Sequence, residues 1–428
     1  MHEPHEKKIC LITPGHPSKN PRLVKEADAL VEAGYDVHVT AGDYHPWGHD
    51  ADQEYDKREW ALRRVSYGPI ASPGRRFWLA GRQRIAQAML GIFPWEFSRL
   101  VEWAVHYVVP ELEEAAASIP ANLYIAHNLP ALPAATHAAE KHGAKVGFDA
   151  EDFHRGEVPE NQYDTLDAQL TRWIEEQYMP ECDYVTAASP GIKSAYEEEI
   201  DVEDVGVVLN VFSKETCAGH TPPRELKEEH PGEGVSLYWY SQTIGPGRGL
   251  EQVVRAMGQV PGQEGPLRFS LRGSWAKGYE EELRGLADSV GVEDHRIRHL
   301  SRAAPDQLIE RAGRHDIGLA LEQSVTRNRE ICITNKIFAY LLAGLPVLAT
   351  DTPGQRYVAE KVPDAVSLCP IGDGEALGEH LRTWMHQPER LKRASEAAQR
   401  AGSERFNWET EREKFLDVVQ NTLKEEKS

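Results

Sequence analysis

Two spacings of apolar residues alternate along the chain. Short apolar runs predict buried strands, and the segments between several of them carry apolar residues three or four positions apart, which predicts helices. The predicted strands are Lys7–Thr13, Asp36–Ala41, Asn122–His127, Lys145–Phe148, Tyr184–Ala188, Val205–Leu209, Leu237–Ser241, Leu267–Arg272, Ile297–Leu300, Asp316–Leu321, Val347–Thr350 and Ala365–Cys369. Strands that alternate with helices predict an α/β protein with parallel sheets.

The clearest helix–strand unit spans residues 331–354. Thr334 is placed to cap the helix, Gly344 suits the left-handed position after it, and Val347–Thr350 follows as a buried strand. The free N–H groups at the helix start, beside Lys336, offer a place for a diphosphate. An ordinary helix–strand pair with a solvated lysine explains the same local pattern equally well.

A second unit opens the chain. The strand Lys7–Thr13 leads into a loop with Gly15 and His16, then into a helix over Arg22–Ala33. A strand–helix–strand unit with glycine in its first loop predicts half of a nucleotide-type fold. A further strand-to-helix turn, Gly245-Pro246-Gly247-Arg248-Gly249, is glycine-rich and would let a phosphate approach the backbone.

Length and composition narrow the class of protein. The chain has 428 residues, which favours two domains, and no apolar run long enough to predict a membrane-spanning helix. Its five cysteines form no C-x-x-C pair, so we expect a reducing, cytoplasmic setting and no zinc site. The net charge of −20 disfavours nucleic acid as a partner.

Residues 75–84 differ from the rest of this acidic chain because they combine four arginines with Phe77 and Trp78. A basic and aromatic segment predicts peripheral contact with an anionic membrane, here the inner membrane, or with a lipid-pyrophosphate acceptor. The alternative is a helix start whose arginines pair with surplus carboxylates. Residues 95–118 continue as an amphipathic helix that we expect to be kinked or broken at Pro110.

The wording of two segments resembles a known family. These are Asn20-Pro21-Arg22-x-x-Lys25-Glu26-Ala27-x-x-Leu30-x-x-Ala33-Gly34-x-x-Val37 and Asn335-Lys336-Ile337-Phe338-x-Tyr340-Leu341-x-Ala343-Gly344-x-Pro346-Val347. Both resemble the group 1 (GT4-like) retaining glycosyltransferases of the GT-B fold. The resemblance implies two Rossmann-like domains facing across a cleft, over 1–212 and 213–405, with a C-terminal helix (406–428) crossing back to the first domain.

The resemblance also implies what the protein does. The donor would be a nucleotide-diphosphate sugar, the acceptor a glycan or lipid-linked molecule, and the setting the synthesis of cell-surface polysaccharide or glycoconjugate. Charge that builds on the leaving diphosphate would be met by cations and helix N–H groups, with no metal and no other cofactor. The leaving phosphate can take the acceptor proton, so a strong base is not required.

Residue roles follow from the same resemblance. The predicted catalytic residues are His127, Arg248 and Lys336, with His127 touching the donor sugar and phosphate. The predicted donor-binding residues are Gly15, Gly247, Gly273, Glu322, Glu330, Thr334 and Asn335. On the acceptor side we expect His16 and Glu151, although a plain loop histidine and a group near a helix start explain these two equally well.

One position departs from the family. Ala339 stands where the family has the second glutamate of its E-x7-E motif, which binds the donor ribose, and Ile331 stands at the first. Three interpretations remain open. Glu330 or Glu322 holds the ribose, the donor is bound differently, or the protein is a non-catalytic relative that binds a sugar nucleotide or glycan. A GT-B nucleotide-sugar 2-epimerase is a further alternative that the two segments favour less.

Overall fold

The computed structural model describes residues 7–92, 95, 98–217, 234–260 and 267–424. They form two compact units. The first domain holds the described residues up to Val208 together with those from Arg412 onward, and the second domain holds those from Leu209 to Glu411. The sequence predicts the boundary after residue 212, so the two divisions differ by a few residues. Residues 218–233, which follow this boundary, lie outside the described residues.

A parallel sheet of seven strands forms the centre of the first domain, in the order β3-β2-β1-β4-β5-β6-β7. Its strands are β1 Lys8–Thr13, β2 Asp36–Asp43, β3 Ala61–Ser66, β4 Leu123–His127, β5 Lys145–Ala150, β6 Tyr184–Ala187 and β7 Gly206–Val207. Its helices are α1 Pro21–Glu32, α2 Pro46–Ala51, α3 Pro73–Leu90, α4 Ser98–Val105, α5 Val109–Ala116, α6 Leu132–His142, α7 Leu166–Tyr178 and α8 Pro190–Glu199.

A second parallel sheet, of six strands in the order β10-β9-β8-β11-β12-β13, forms the centre of the second domain. Its strands are β8 Ser236–Ile244, β9 Arg268–Trp275, β10 Ile297–Leu300, β11 Ile317–Ala320, β12 Val347–Thr350 and β13 Val366–Cys369. The helices are α9 Leu250–Gly258, α10 Tyr279–Ser289, α11 Leu308–Ala312, α12 Arg327–Ile331, α13 Asn335–Leu342, α14 Pro353–Lys361, α15 Gly374–His386, α16 Pro388–Glu404 and α17 Trp408–Lys424.

Each sheet has one point where its strand order reverses, between β1 and β4 in the first domain and between β8 and β11 in the second. Loops that leave the carboxyl ends of such neighbouring strands diverge, and ligands of α/β proteins bind in the crevice between them. Both candidate sites below lie at these points. The topology of the sheets therefore explains why the predicted residues collect there.

The last helix, α17, begins in the second domain and ends in the first. Phe415 and Val419 on this helix are fully buried, and Arg412 forms an ion pair with Glu32 at the end of α1. This part of the chain therefore helps to complete the core of the first domain. No described helix is long and apolar enough to cross a membrane.

Two predictions of local structure need correction. The edge strand β3 was not predicted, because its sequence Ala-Leu-Arg-Arg-Val-Ser is largely exposed or half-buried and lacks an apolar run. The predicted helix over 95–118 is two helices, α4 and α5, and the chain breaks between them before Pro110 rather than at it. Pro110 lies in the first turn of α5, where its missing N–H has no helical partner to lose.

Candidate functional site

The glycine-rich loop between β8 and α9 is pressed against the end of β11. Gly249 precedes α9 in a left-handed conformation (φ 73°), and a β-carbon there would lie 2.8 Å from Leu321 Cβ. Gly247 is also left-handed (φ 70°) but has open space around it. At position 249, only glycine can adopt the left-handed conformation without strain and also fit so close to Leu321. The loop thus holds Arg248 near Glu322, the residue that follows Leu321.

The carboxylate of Glu322 binds Lys336. The Lys336 ammonium donates to Glu322 Oε1 at 2.9 Å and to Thr334 Oγ1 at 3.3 Å. Burial by itself would raise the pKa of Glu322, but Lys336, Thr334 and Arg248 together lower it below its usual value. The structure thus brings Arg248, Glu322, Thr334 and Lys336 into one cluster, which we call the cationic cluster.

Helix α13 starts in this cluster, and its start is uncapped. Thr334 is the residue before the helix, as predicted, but its side chain makes no capping hydrogen bond and instead accepts from Lys336. The first N–H groups of a helix carry partial positive charge when no side chain caps them. Two cationic side chains and a helix start therefore lie together at the reversal point of the second sheet.

Other residues predicted to bind the donor lie around this cluster in different settings. Asn335 is exposed at the first position of α13, and Glu330 lies on α12 and takes no part in the ion pair of Lys336. Gly273 is inside β9, where a β-carbon would lie 2.4 Å from the Ser241 carbonyl oxygen, so it permits close approach of two strands. Ala339 is fully buried, so its methyl group lines no open surface.

In the first domain, His16 is buried and both of its ring nitrogens are occupied. Nε2 accepts from the backbone N–H groups of Tyr44 and His45 at 3.3 and 3.1 Å, so Nδ1 carries the proton and donates to Asp52 at 2.7 Å. This pattern is typical of a histidine that fixes a loop. The neighbouring Gly15 N–H bonds to Thr13. An acceptor could reach the His16 ring only after these bonds had broken.

His127, at the end of β4, is also fully buried and lies between two carboxylates. Its Nε2 is 3.2 Å from Glu26 and its Nδ1 is 3.3 Å from Asp149. Burial by itself would lower the pKa of His127, but Glu26 and Asp149 together raise it to about 10. The imidazole is therefore a buried cation within the domain. Its predicted contact with the donor sugar stays a prediction that requires the ring to become accessible.

Arg22 completes this buried group of charges, and its role was not predicted. The guanidinium donates to both oxygens of Asp149 at 2.6 Å and to the Val208 carbonyl at 2.6 Å. It also lies 3.3 Å from Glu26, one helical turn away. The sequence contained a signal for this: an arginine and a glutamate four residues apart on α1 stand between buried apolar positions. We call Arg22, Glu26, His127 and Asp149 the buried charge network.

Glu151 follows this network on the loop after β5. Burial, helped by nearby Asp149, raises the pKa of Glu151 to about 7. Burial, helped by Arg22, lowers the pKa of Lys25 to about 8. Both groups can therefore change protonation near neutral pH. The place of Glu151 on the acceptor side stays a prediction.

Glu26, His127 and Asp149 also lie close enough together to hold a metal ion. However, the Arg22 guanidinium already engages both oxygens of Asp149, and the protonated His127 balances a second negative charge. An added cation would have to displace a buried cation. These residues do not fit a metal, and the expectation that the reaction needs none stays a prediction.

Comparison with known proteins finds one matching family and many similar structures. Residues 248–417 match the family "Glycosyl transferase-like". Anabaena HepE in complex with UDP is similar in structure, with a TM-score of 0.70 and 16% identity over 97% of this chain and 100% of HepE. Sucrose-phosphate synthase from Thermosynechococcus elongatus has a TM-score of 0.71 and 13% identity over 97% and 99%. No curated protein sequence matches the chain.

The chain therefore has the GT-B fold, and residues 248–417 match the glycosyl transferase-like family. The predicted GT-B fold class and the resemblance to glycosyltransferases are thereby confirmed, while retention stays a prediction. A putative UDP-N-acetylglucosamine 2-epimerase from Listeria monocytogenes is also similar, with a TM-score of 0.59 and 12% identity over 97% and 96%. The predicted alternative, a nucleotide-sugar 2-epimerase, therefore shares this fold. The match of residues 248–417 to the glycosyl transferase-like family favours the transferase.

Proposed function

We propose that the protein transfers a sugar, with retention, from a nucleoside-diphosphate sugar to a glycan or lipid-linked acceptor in polysaccharide or glycoconjugate synthesis. The cationic cluster in the second domain carries this proposal. Arg248, Lys336 and the uncapped start of α13 supply positive charge at the reversal point of the sheet. A diphosphate is the ligand that such a set favours. The likeness to HepE with bound UDP supports the same donor class.

The chemistry follows from where charge develops. When the bond between the anomeric carbon and the diphosphate oxygen breaks, negative charge grows on the leaving diphosphate. Lys336 and Arg248 stabilise that charge in place of a metal, and they stabilise the transition state more than the ground state because the charge is larger there. Before the donor binds, Glu322 neutralises Lys336 and holds the ammonium in position.

A second candidate function rests on Ala339. A binding protein that retains the diphosphate site but lacks the ribose carboxylate would hold a sugar nucleotide or glycan without turning it over. Turnover of a panel of UDP- and GDP-sugars, measured as release of nucleoside diphosphate with and without glycan acceptors, separates the candidates. Nucleotide binding without any turnover would favour the binding protein, and the absence of nucleotide affinity would contradict both.

The first prediction concerns the diphosphate. Lys336→Ala and Arg248→Ala should each weaken UDP or GDP binding by about 10- to 100-fold, the worth of one charged hydrogen bond or ion pair. Binding of the free nucleosides uridine and guanosine should change little. Isothermal titration measures both, and Arg255→Ala, which removes an exposed arginine from α9 of the same domain, is the control. If a variant binds the diphosphate as tightly as the parent, that residue is not a diphosphate ligand.

The second prediction concerns the loop. Gly249→Ala should lower diphosphate affinity by about tenfold, because the new methyl group meets Leu321 and adds left-handed strain of about 1–2 kcal/mol, which together displace Arg248. Gly247→Ala is a matched control, since it introduces similar strain into open space. Its effect on affinity should be clearly smaller. Equal effects in the two variants would show that the contact with Leu321 does not matter.

A further inference from the structure

Helix α3 of the first domain turns a row of large apolar side chains outward. The row consists of Phe77 (75% exposed), Trp78 (67%), Ile85 (62%), Met89 (37%) and, just after the helix, Ile92 (80%). Their spacing places them on one side of the helix. We call this row the α3 face. Scattered exposed apolar residues are ordinary, but a continuous row with two aromatic residues indicates a binding surface.

The orientation of the α3 face is fixed by the opposite side of the helix. Leu79, Ala86 and Leu90 are buried there, and Gln83 and Gln87 both donate to the Ala104 carbonyl on α4. The helix therefore already has its partner within the domain. The α3 face is what remains, and no described residue of the chain covers it.

The surroundings of the α3 face are basic in an acidic protein. The chain has 68 Asp and Glu among 428 residues, yet residues 60–95 contain none and include six arginines. Arg82 is bound by both oxygens of Glu111. Arg75, Arg76 and Arg84 are exposed and have no carboxylate partner among the described residues. Of the two sequence interpretations, pairing with a carboxylate thus holds for Arg82 and not for these three arginines.

We propose that the α3 face docks the protein on an anionic lipid surface, with the apolar row inserted among the acyl chains and Arg75 and Arg84, which flank the row on the helix, against the phosphates. Aromatic and aliphatic side chains beside arginines are the composition of helices that lie in a membrane interface. A second copy of the chain suits the face less well, because two such faces would bring unpaired arginines together with no acidic residue of 60–95 to neutralise them.

The proposal rests on the proposed function only for its purpose, since a docked transferase would meet a lipid-linked acceptor. Docking itself requires no transfer. Because UDP binding belongs to the second domain, variants of α3 should bind UDP as the parent does. Failure of lipid binding and failure of the transferase assignment are therefore measured separately.

The experiment is flotation of the full chain with vesicles of phosphatidylcholine, with and without phosphatidylglycerol. We expect binding only with the anionic lipid, and weaker binding as salt rises. The double variant R75Q/R84Q should lower the partition coefficient about 25-fold, at roughly fivefold for each arginine near an anionic surface. The matched control R390Q/R393Q removes the same charge from exposed positions on α16 and should bind as the parent does.

Insertion is tested through Trp78. Vesicles that carry brominated acyl chains should quench part of the tryptophan fluorescence of the parent, and Trp78→Phe should abolish that quenching while binding persists. Trp47→Phe, which removes another exposed tryptophan of the first domain, should leave the quenching unchanged. F77A/W78A should reduce binding at least tenfold, because two large apolar side chains are lost from the inserted row.

Three results would overturn the proposal. These are equal binding to vesicles with and without phosphatidylglycerol, no loss of binding in the arginine variant, and quenching that persists in Trp78→Phe. Concentration-dependent dimerisation in sedimentation velocity, lost in F77A/W78A without any lipid binding by the parent, would assign the face to a second copy instead. All altered residues are exposed, and an unchanged thermal transition confirms that each variant is folded.

Discussion

An Arg22→Met variant should lose about 3–5 kcal/mol of the free energy of unfolding of the first domain, because removing one partner of a buried ion pair leaves the others uncompensated. Arg22 donates to both oxygens of Asp149 and lies beside Glu26, and all three are buried. Without it, His127 alone faces two carboxylates. Hydrogen exchange of amides in β4 and β5 during urea unfolding measures the loss in this domain.

Two comparisons test the physical reason. Arg58→Met removes an arginine whose ion pair with Asp28 is half-exposed, and it should cost less than about 1 kcal/mol. Adding Asp149→Leu to Arg22→Met replaces both charges by apolar groups and should recover part of the loss. A loss below about 1 kcal/mol in Arg22→Met would mean that the buried charge network does not stabilise the fold.

A rise in pH should lower the free energy of unfolding of the first domain, because the buried His127 loses its proton. The folded pKa is about 10 and the unfolded pKa is about 6.5, so the stabilisation is complete below pH 6.5 and is lost as the pH rises through 10. The slope is up to about 1.4 kcal/mol per pH unit. Glu151, with its pKa raised to about 7, weakens the domain in the same direction between about pH 4.5 and 7. Lys25, with its pKa lowered to about 8, opposes His127 above pH 8.

Between pH 7 and 8, the change of the free energy of unfolding with pH is therefore determined mainly by His127. His127→Gln should remove most of the slope in this window, so the stability difference between parent and variant shrinks as the pH rises. The measurement is the urea midpoint of β4 and β5 amides at several pH values. His295→Gln, at an exposed position of the second domain, should leave the profile as in the parent. A constant difference from pH 6.5 to 10 would show that His127 is neutral in the folded protein.

Much of the fold could be predicted because the strands of a parallel sheet are buried on both faces and appear as apolar runs. The strands Ile297–Leu300 and Val347–Thr350 were predicted to the residue. The edge strand β3 could not be predicted in this way, because its residues are mostly exposed or half-buried and form no apolar run. The loop of Arg248 and the helix start at Lys336 were also predicted separately, since glycine spacing and a helix start are local features of the sequence.

What local patterns could not predict is which charges become buried. Arg22 and Glu26 are spaced as a pair on one helix, but only the structure shows that they meet Asp149 and His127 at the ends of β5 and β4. The same limit applies to His16, whose two ring nitrogens are occupied by residues far along the chain. Within the cationic cluster, the contact of Glu322 with Lys336 depends on the strand order of the sheet.

The path of α17 has a consequence for how the protein is made. Phe415 and Val419 belong to the core of the first domain, yet the ribosome adds them after the entire second domain. The apolar core of the first domain therefore stays incomplete while some two hundred further residues are translated. Translation proceeds at about 5–20 residues per second. During synthesis, the domain that is begun first is therefore completed last.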